Sequence, residues 1–163
     1  MRNIWVVSDT HFGHNNIIQY CNRPFANAEI MDECLIDNWN SVVKDDDIVY
    51  HLGDVYFANG REALSKLNGR KRLVLGNHDN GKDQILQRHF QKIMVWRMFP
   101  EFGLLLTHVP VSYTTLGEGG EDRILTNVHG HIHQNKSPMG RYRNVCVEQT
   151  NYTPINIEEL RVK

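Results

Sequence analysis

The stretch "IWVVSDTH", Ile4 to His11, decides how the rest of the chain is read. Its apolar part, Ile4 to Val7, is β-branched and aromatic and too short for a buried helix, so it reads as a buried strand. The run stops at Asp9 and His11, two side chains able to ligate a metal. The same layout recurs along the chain. "DIVYHLGD" stops at Asp54, "RLVLGNHD" at Asn77, His78 and Asp79, "GLLLTH" at His108, and "ILTNVHGHIH" at His131 and His133. Each reads as a strand delivering polar groups at its C-terminal end, where ligands bind in open α/β sheets.

Helical spacing fills the gaps. Ala28 to Val43 carries Ile30, Cys34, Leu35, Trp39 and Val42 on one side, and Gly60 to Asn68 and Lys82 to Phe90 are shorter candidates. "MVWRMFPEFGLLL" (94–106) reads as two strands around a Pro100–Gly103 turn, and "SPMGRYRNVCVE" (137–148) as a hairpin turning near Pro138–Gly140. Early βαβα followed by hairpins predicts an α/β (α+β) sandwich with mixed sheets. The Gly-rich piece Thr114 to Asp122 reads as a surface loop near the site.

At 163 residues, 40% hydrophobic and 23% charged, the chain fits one compact domain over 1–163. A net charge of −1 argues against a basic protein that coats nucleic acid. Cys21, Cys34 and Cys146 are scattered, form no C-x-x-C pair, and read as reduced core thiols. The apolar run Ile4 to Val7 is too short for a signal-peptide core. Nothing approaches the roughly 20 apolar residues of a membrane span. A cytoplasmic protein without membrane association is expected.

A lone histidine at a strand end is commonplace. Five such signals in order, each ending a strand, would need five separate coincidences to be merely structural. Without clustered cysteines, a closed structural zinc site is disfavoured. Imidazole, carboxylate and carboxamide together suit Mn²⁺ first, with Fe, Zn²⁺, Co²⁺ or Ni²⁺ as alternatives. Excluding His78, the seven candidates Asp9, His11, Asp54, Asn77, His108, His131 and His133 are too many for one catalytic ion. They suit two ions with open positions and one bridging carboxylate. Two divalent ions, two carboxylates and a bridging hydroxide leave about one positive charge, enough to attract a phosphate.

In this order, "SDTH", "LGD", "GNHD", "LTHVP" and "GHIH" resemble the blocks of the calcineurin-like metallophosphoesterases, over Asp9 to His133. "DTHFGHNNI", "NRPF" and "VYHLGD" resemble the small capless bacterial and phage members in particular. The resemblance implies that Asp9, His11 and His133 hold one divalent ion, that Asn77, His108 and His131 hold the other, and that Asp54 bridges them. It implies that His78 faces the scissile phosphate and assists the leaving group, with Asp79 orienting His78. The implied fold is two mixed β-sheets packed as a sandwich flanked by helices, and the implied chemistry is attack on phosphorus by a metal-bridging hydroxide. His129 is left over, and a packed, hydrogen-bonded role at a strand end suits it better.

Among other residues, His14, Arg23 and Arg141 are candidates to touch substrate, against plain readings as loop histidine, loop anchor and solvated strand charge; His14, three residues after His11, is equally placed to support that ligand from behind. Lys136 and Arg143 belong with Arg141. His51 reads as buried and structural, and His89 as a charge at a helix C-terminus. Arg70 to Arg72, before a strand, and Lys44 to Asp47, in a turn, read as exposed. Trp96, Phe99 and Phe102 suit either an oligomer interface or the core.

The substrate expected is a phosphoester, with phosphodiester cleavage favoured because the short chain leaves no room for a cap. Nucleotides, cyclic nucleotides and nucleic-acid ends all qualify. The alternatives are a nucleotidase or phosphomonoesterase and, lower, a non-catalytic scaffold. Ligand imidazoles must be neutral to coordinate, so activity is expected at neutral to alkaline pH.

Overall fold

The computed structural model describes residues 2–116 and 125–161. The first sheet has the order β4-β3-β2-β1-β9, and the second β5-β6-β7-β8. The first sheet is built from β1 (Ile4–Val7), β2 (Ile48–His51), β3 (Arg70–Val74), β4 (Lys92–Met94) and β9 (Ile155–Asn156). β1 to β4 pair in parallel and β9 joins β1 antiparallel. The second sheet is built from β5 (Trp96–Phe99), β6 (Leu104–Thr107), β7 (Thr126–His129) and β8 (Tyr142–Asn144). β5 is antiparallel to β6, while β6, β7 and β8 run parallel. Both sheets are therefore mixed, as the strand pattern predicts.

The period-2 alternation of strands sorts the core. Val6, Tyr50 and Val74 of the first sheet meet Leu104, Leu106 and Val128 of the second between the sheets. Val7, Val49 and Leu73 point the other way, onto helices. That outer layer contains α1 (Asn15–Tyr20), α2 (Ala28–Val42), a 3₁₀ segment (Ala58–Lys66) and α3 (Gln84–His89). α2 starts where Asn27 accepts a hydrogen bond from the Ile30 N–H, and it buries Met31, Leu35 and Trp39. The last helix, α4 (Ile157–Leu160), opens on a capping box made by Asn156 and Glu159. Its Ile157 and Leu160 close the inter-sheet core.

Several expectations change. The turn at Pro100–Gly103 is present, with Gly103 in the left-handed region between β5 and β6. The hairpin over 137–148 is not: the segment supplies one strand, β8, parallel to β7. The chain packs it against an existing strand, which satisfies its backbone without a local partner. Arg70 to Arg72 lie inside β3, with Lys71 buried and its ammonium donating to the Leu67 carbonyl at 2.7 Å. Asp47 is buried too, accepting from the Asn3 N–H (2.9 Å) and the Trp5 indole (3.0 Å). Phe99 is core, Phe102 packs against it, and Trp96 is exposed. The Gly-rich loop is described only as far as a 3₁₀ turn at Tyr113–Leu116; its remainder to Asp122 lies outside the described residues.

Candidate metal centre

The parallel strands end together, and their C-terminal loops converge. The loop after β1 runs alongside the loop after β2: the Asp9 N–H donates to the Gly53 carbonyl (3.0 Å) and the His11 N–H to the Asp54 carbonyl (3.1 Å). From the second sheet, the Gly130 N–H donates to the His108 carbonyl (2.8 Å). Asp9, His11, Asp54, His131 and His133 all have positive φ, between 50° and 69°. Side chains other than glycine avoid that region, and such strain collects at functional sites. The glycines of these loops permit close approach. A Cβ on Gly130 would fall on the Ser8 hydroxyl and the Asp9 carboxylate, and one on Gly76 would run into Asp54.

The side chains form two groups. Ligand atoms of Asp9, His11 and His133 lie within 4.8 Å of one another, as do those of Asp54, His108 and His131. Asp54 Oδ2 stands between the groups, 3.6 Å from His11 Nε2 and 3.5 Å from His108 Nε2. Asn77 Oδ1 lies 2.8 Å from His108 Nε2 and 2.9 Å from His131 Nδ1.

These residues fit a pair of cations. Asp9 Oδ1 and His11 Nε2 are buried with no hydrogen-bond partner. The other ring nitrogens are committed: His108 Nδ1 faces the Leu52 carbonyl at 2.7 Å, and His133 Nδ1 faces Glu148 Oε1 at 3.0 Å. Those contacts place the ring protons outward and leave the Nε2 lone pairs facing the centre. His108 Nε2 then meets the Asn77 oxygen lone pair to lone pair, an arrangement that a cation between them resolves.

The charges agree. Burial would raise the Asp9 carboxyl, but the neighbouring imidazoles of His11 (3.8 Å), His108 and His133 and the Ser8 hydroxyl, which donates to Oδ2 at 2.5 Å, hold it well below the usual range. Burial also acts to raise Asp54, and the His108 contacts and the His78 N–H bring it down. Both stay ionised, as ligands must. Burial raises the Cys146 thiol, and it stays protonated to donate to Asp9 Oδ2 at 3.2 Å.

Some expectations about site residues need correction. Arg23 is buried, donating to the carbonyls of Asp9 (2.7 Å) and Thr10 (2.9 Å) and pairing with Glu148 at 2.8 Å. It anchors the loop and its fork is committed to the protein, so it does not reach substrate. Arg141 precedes β8 at the Thr126 end of β7, about 10 Å along the sheet from the end that carries the histidines. Asp79 does not hydrogen-bond the His78 ring. Its carboxylate accepts the N–H groups of Asp54 (2.8 Å), Gly76 (2.8 Å) and Val55 (3.0 Å), and so ties the second loop to the third. His14 stacks on Phe57 with ring centroids 4.1 Å apart, and its Nδ1 lies 3.0 Å from His11 Nδ1.

His129 is buried, with Nδ1 2.9 Å from the Gly130 carbonyl and Nε2 3.0 Å from the Ser137 hydroxyl, as its packed reading expects. Buried His51 accepts the Gly53 N–H on Nδ1 at 3.1 Å, so Nε2 carries the proton and donates to Thr10 Oγ1 at 2.9 Å. The residue that sequence reading missed is Glu148, which joins His133 to Arg23; a single glutamate after a strand carries no signal of that role. His78 is exposed and lines a cleft of about 530 Å³ with His11, His14, Phe57, His131 and His133. Its backbone N–H donates to Asp54 Oδ1 at 3.0 Å.

Residues 1–148 match the model of the calcineurin-like phosphoesterase superfamily domain. The chain belongs to the calcineurin-like phosphoesterase superfamily. As a member it is a metal-dependent phosphoric ester hydrolase. It is similar to the uncharacterised protein MJ1445 of Methanocaldococcus jannaschii, 40% identical over 97% of this chain and 89% of that protein. The Gene 66 protein of Mycobacterium phage L5 is 30% identical over 85% of this chain and 80% of its own length, which fits a small member of the superfamily. The crystal structure of AQ665, a protein of unknown function from Aquifex aeolicus, superposes with a TM-score of 0.80 at 28% identity over 98% of both chains. Among the described residues, no helix is long and apolar enough to cross a membrane.

Proposed function

We propose that the chain, as one domain over 1–163, is a dinuclear phosphodiesterase. Asp9, His11 and His133 hold one divalent ion, Asn77, His108 and His131 hold the other, and Asp54 serves both. The observation that carries this reading is the position of Asp54 Oδ2, nearly equidistant from the nearest imidazoles of the two groups. The oxygen and nitrogen donors suit Mn²⁺, and the free thiols of Cys21, Cys34 and Cys146 suit a reducing cytoplasm.

When bound, the two ions supply an activated water and neutralise the phosphate oxygens. The protein does the rest. His11 and His133 are aimed by His14 and Glu148, and His108 by the Leu52 carbonyl. His78 stands in the open cleft, where its ring donates a proton to the departing ester oxygen. Phe57 and His14 form the wall against which the leaving arm rests.

The test is turnover by Mn²⁺-loaded protein near pH 8 of an aryl phosphodiester and the matching monoester, with His78→Ala beside wild type. The expected result is a diester preference, with the rate falling by about 10²–10⁴ in the variant. A monoester preference replaces the reading with a nucleotidase. Failure on both substrates with two ions bound overturns it in favour of a scaffold.

A further inference from the structure

Two clefts reach the metal centre. One is the cleft that holds His78. The other is an apolar cavity of about 490 Å³ walled by Leu75, Val95, Trp96, Met98 and Val109, and it shares Asn77 and His108 with the centre. The chain opens it where it changes sheets. β4 pairs with β3 and β5 with β6, and Val95 alone joins them. The wall therefore lies beside Asn77, which follows β3, and His108, which follows β6. Val95, Trp96 and Val109 are 71%, 57% and 44% exposed, a clustering of large apolar groups that marks a binding surface. No Lys, Arg, Asp or Glu is among the described residues lining the cavity.

We propose that this cavity binds the retained arm of a phosphodiester substrate, and that this arm ends in an uncharged, aromatic-sized apolar group. The inference rests on the phosphodiesterase reading. A diester has two arms on phosphorus. The leaving arm lies in the cleft that contains His78, because only there can its oxygen take the proton. The retained arm turns to the other side, into the cavity that Asn77 and His108 share with Trp96. The cavity size is that of a small-molecule site, and an indole offers a face for an aromatic ring. With no charged group among the described residues of the wall, a second phosphate on the retained arm is disfavoured there, because its desolvation would go uncompensated.

The test holds the leaving group constant. p-Nitrophenyl phenyl phosphate and p-nitrophenyl methyl phosphate both release p-nitrophenolate and differ only in the retained arm. Wild type is expected to favour the phenyl diester in kcat/KM by on the order of tenfold or more, mostly through KM. In Trp96→Ala and Val95→Ser, both exposed positions, that ratio collapses towards one. Calorimetry with phenylphosphonate and methylphosphonate on the Mn²⁺-loaded wild type and Trp96→Ala reads the same preference without turnover, since only a phenyl group seated in the cavity loses affinity in the variant. Equal rates for the two diesters, with equal binding of the two phosphonates, overturn the inference while the phosphodiesterase reading stands. No turnover of either diester sinks that reading, and the phosphonate pair still decides the cavity. A dimer that Trp96→Ala dissociates, with substrate ratio unchanged, assigns the wall to a second copy and overturns the inference.

Discussion

The Asp79 carboxylate accepts three backbone N–H groups from two loops, and an asparagine offers only one acceptor oxygen for them. Asp79→Asn is therefore expected to lower stability by about 1–3 kcal/mol. Because Asp79 does not touch the His78 ring, turnover by the folded, metal-loaded variant should stay within a few-fold of wild type. Urea unfolding and a rate measurement check both halves; a loss of rate as large as that of His78→Ala would restore the orienting role. Glu148 acts on the metal side. Glu148→Gln keeps an acceptor for His133 but removes the carboxylate that polarises the ring, so affinity for the ion proposed at Asp9, His11 and His133 should drop about 10–100-fold. Isothermal titration with Mn²⁺ should show one weakened site and one preserved.

The short strands were legible because an apolar-rich stretch precedes each set of ligand-type residues. β1, β2, β3, β6 and β7 each end a few residues or fewer before that set. What local pattern could not reveal was pairing at a distance. β8 looked like half of a hairpin because Pro138 and Gly140 imitate a turn, yet its partner is β7. β9 and α4 are too short to carry a period, and they exist because β1 offers an open edge. The charged faces misled for a related reason: Lys71 and Asp47 are polar by type but buried through backbone partners. The candidate ligands were read residue by residue, and His14 was singled out three residues after His11, whereas the supports Glu148 and Ser8 were not, since an outer partner needs no motif. At this scale Gly130 is decisive. Gly130→Ala would push the loop after β7 off Ser8 and Asp9, lowering stability by about 1–3 kcal/mol and abolishing binding of at least one ion. Metal titration beside chemical denaturation measures both effects.

Across the whole molecule, the centre joins the two sheets. Asp9, His11, Asp54 and Asn77 follow strands of the first, and His108, His131 and His133 follow strands of the second. Ions that bind only this closed arrangement stabilise it, by about 2.7 kcal/mol at a hundredfold excess over Kd. For a chain of this size, EDTA should then lower Tm by roughly 5–10 °C, which a thermal scan reads directly. The ion-free protein should also be acid-sensitive through His51, which burial pushes down to about 3. An unfolded histidine takes a proton near about 6.5, so between these values the unfolded chain binds more protons than the folded one. The stability owed to neutral His51 is intact above about 6.5 and drains away as pH falls towards 3. In EDTA, His51→Gln should lose about 2 kcal/mol less than wild type between about pH 7 and pH 5.

The left-handed backbone at Asp9, His11, Asp54, His131 and His133 also bears on how this chain can drift. Two filters act on each position, one for a side chain that coordinates and one for a residue that tolerates the dihedral angles. A lineage that gave up the ions would lose the first filter and keep the second, because the loops are held by backbone hydrogen bonds. Its replacements should gather at Gly and Asn, the residues at ease in that region, and should avoid Val, Ile and Thr. The vanished centre would remain readable in such a descendant as glycines and asparagines standing one after another at the strand ends.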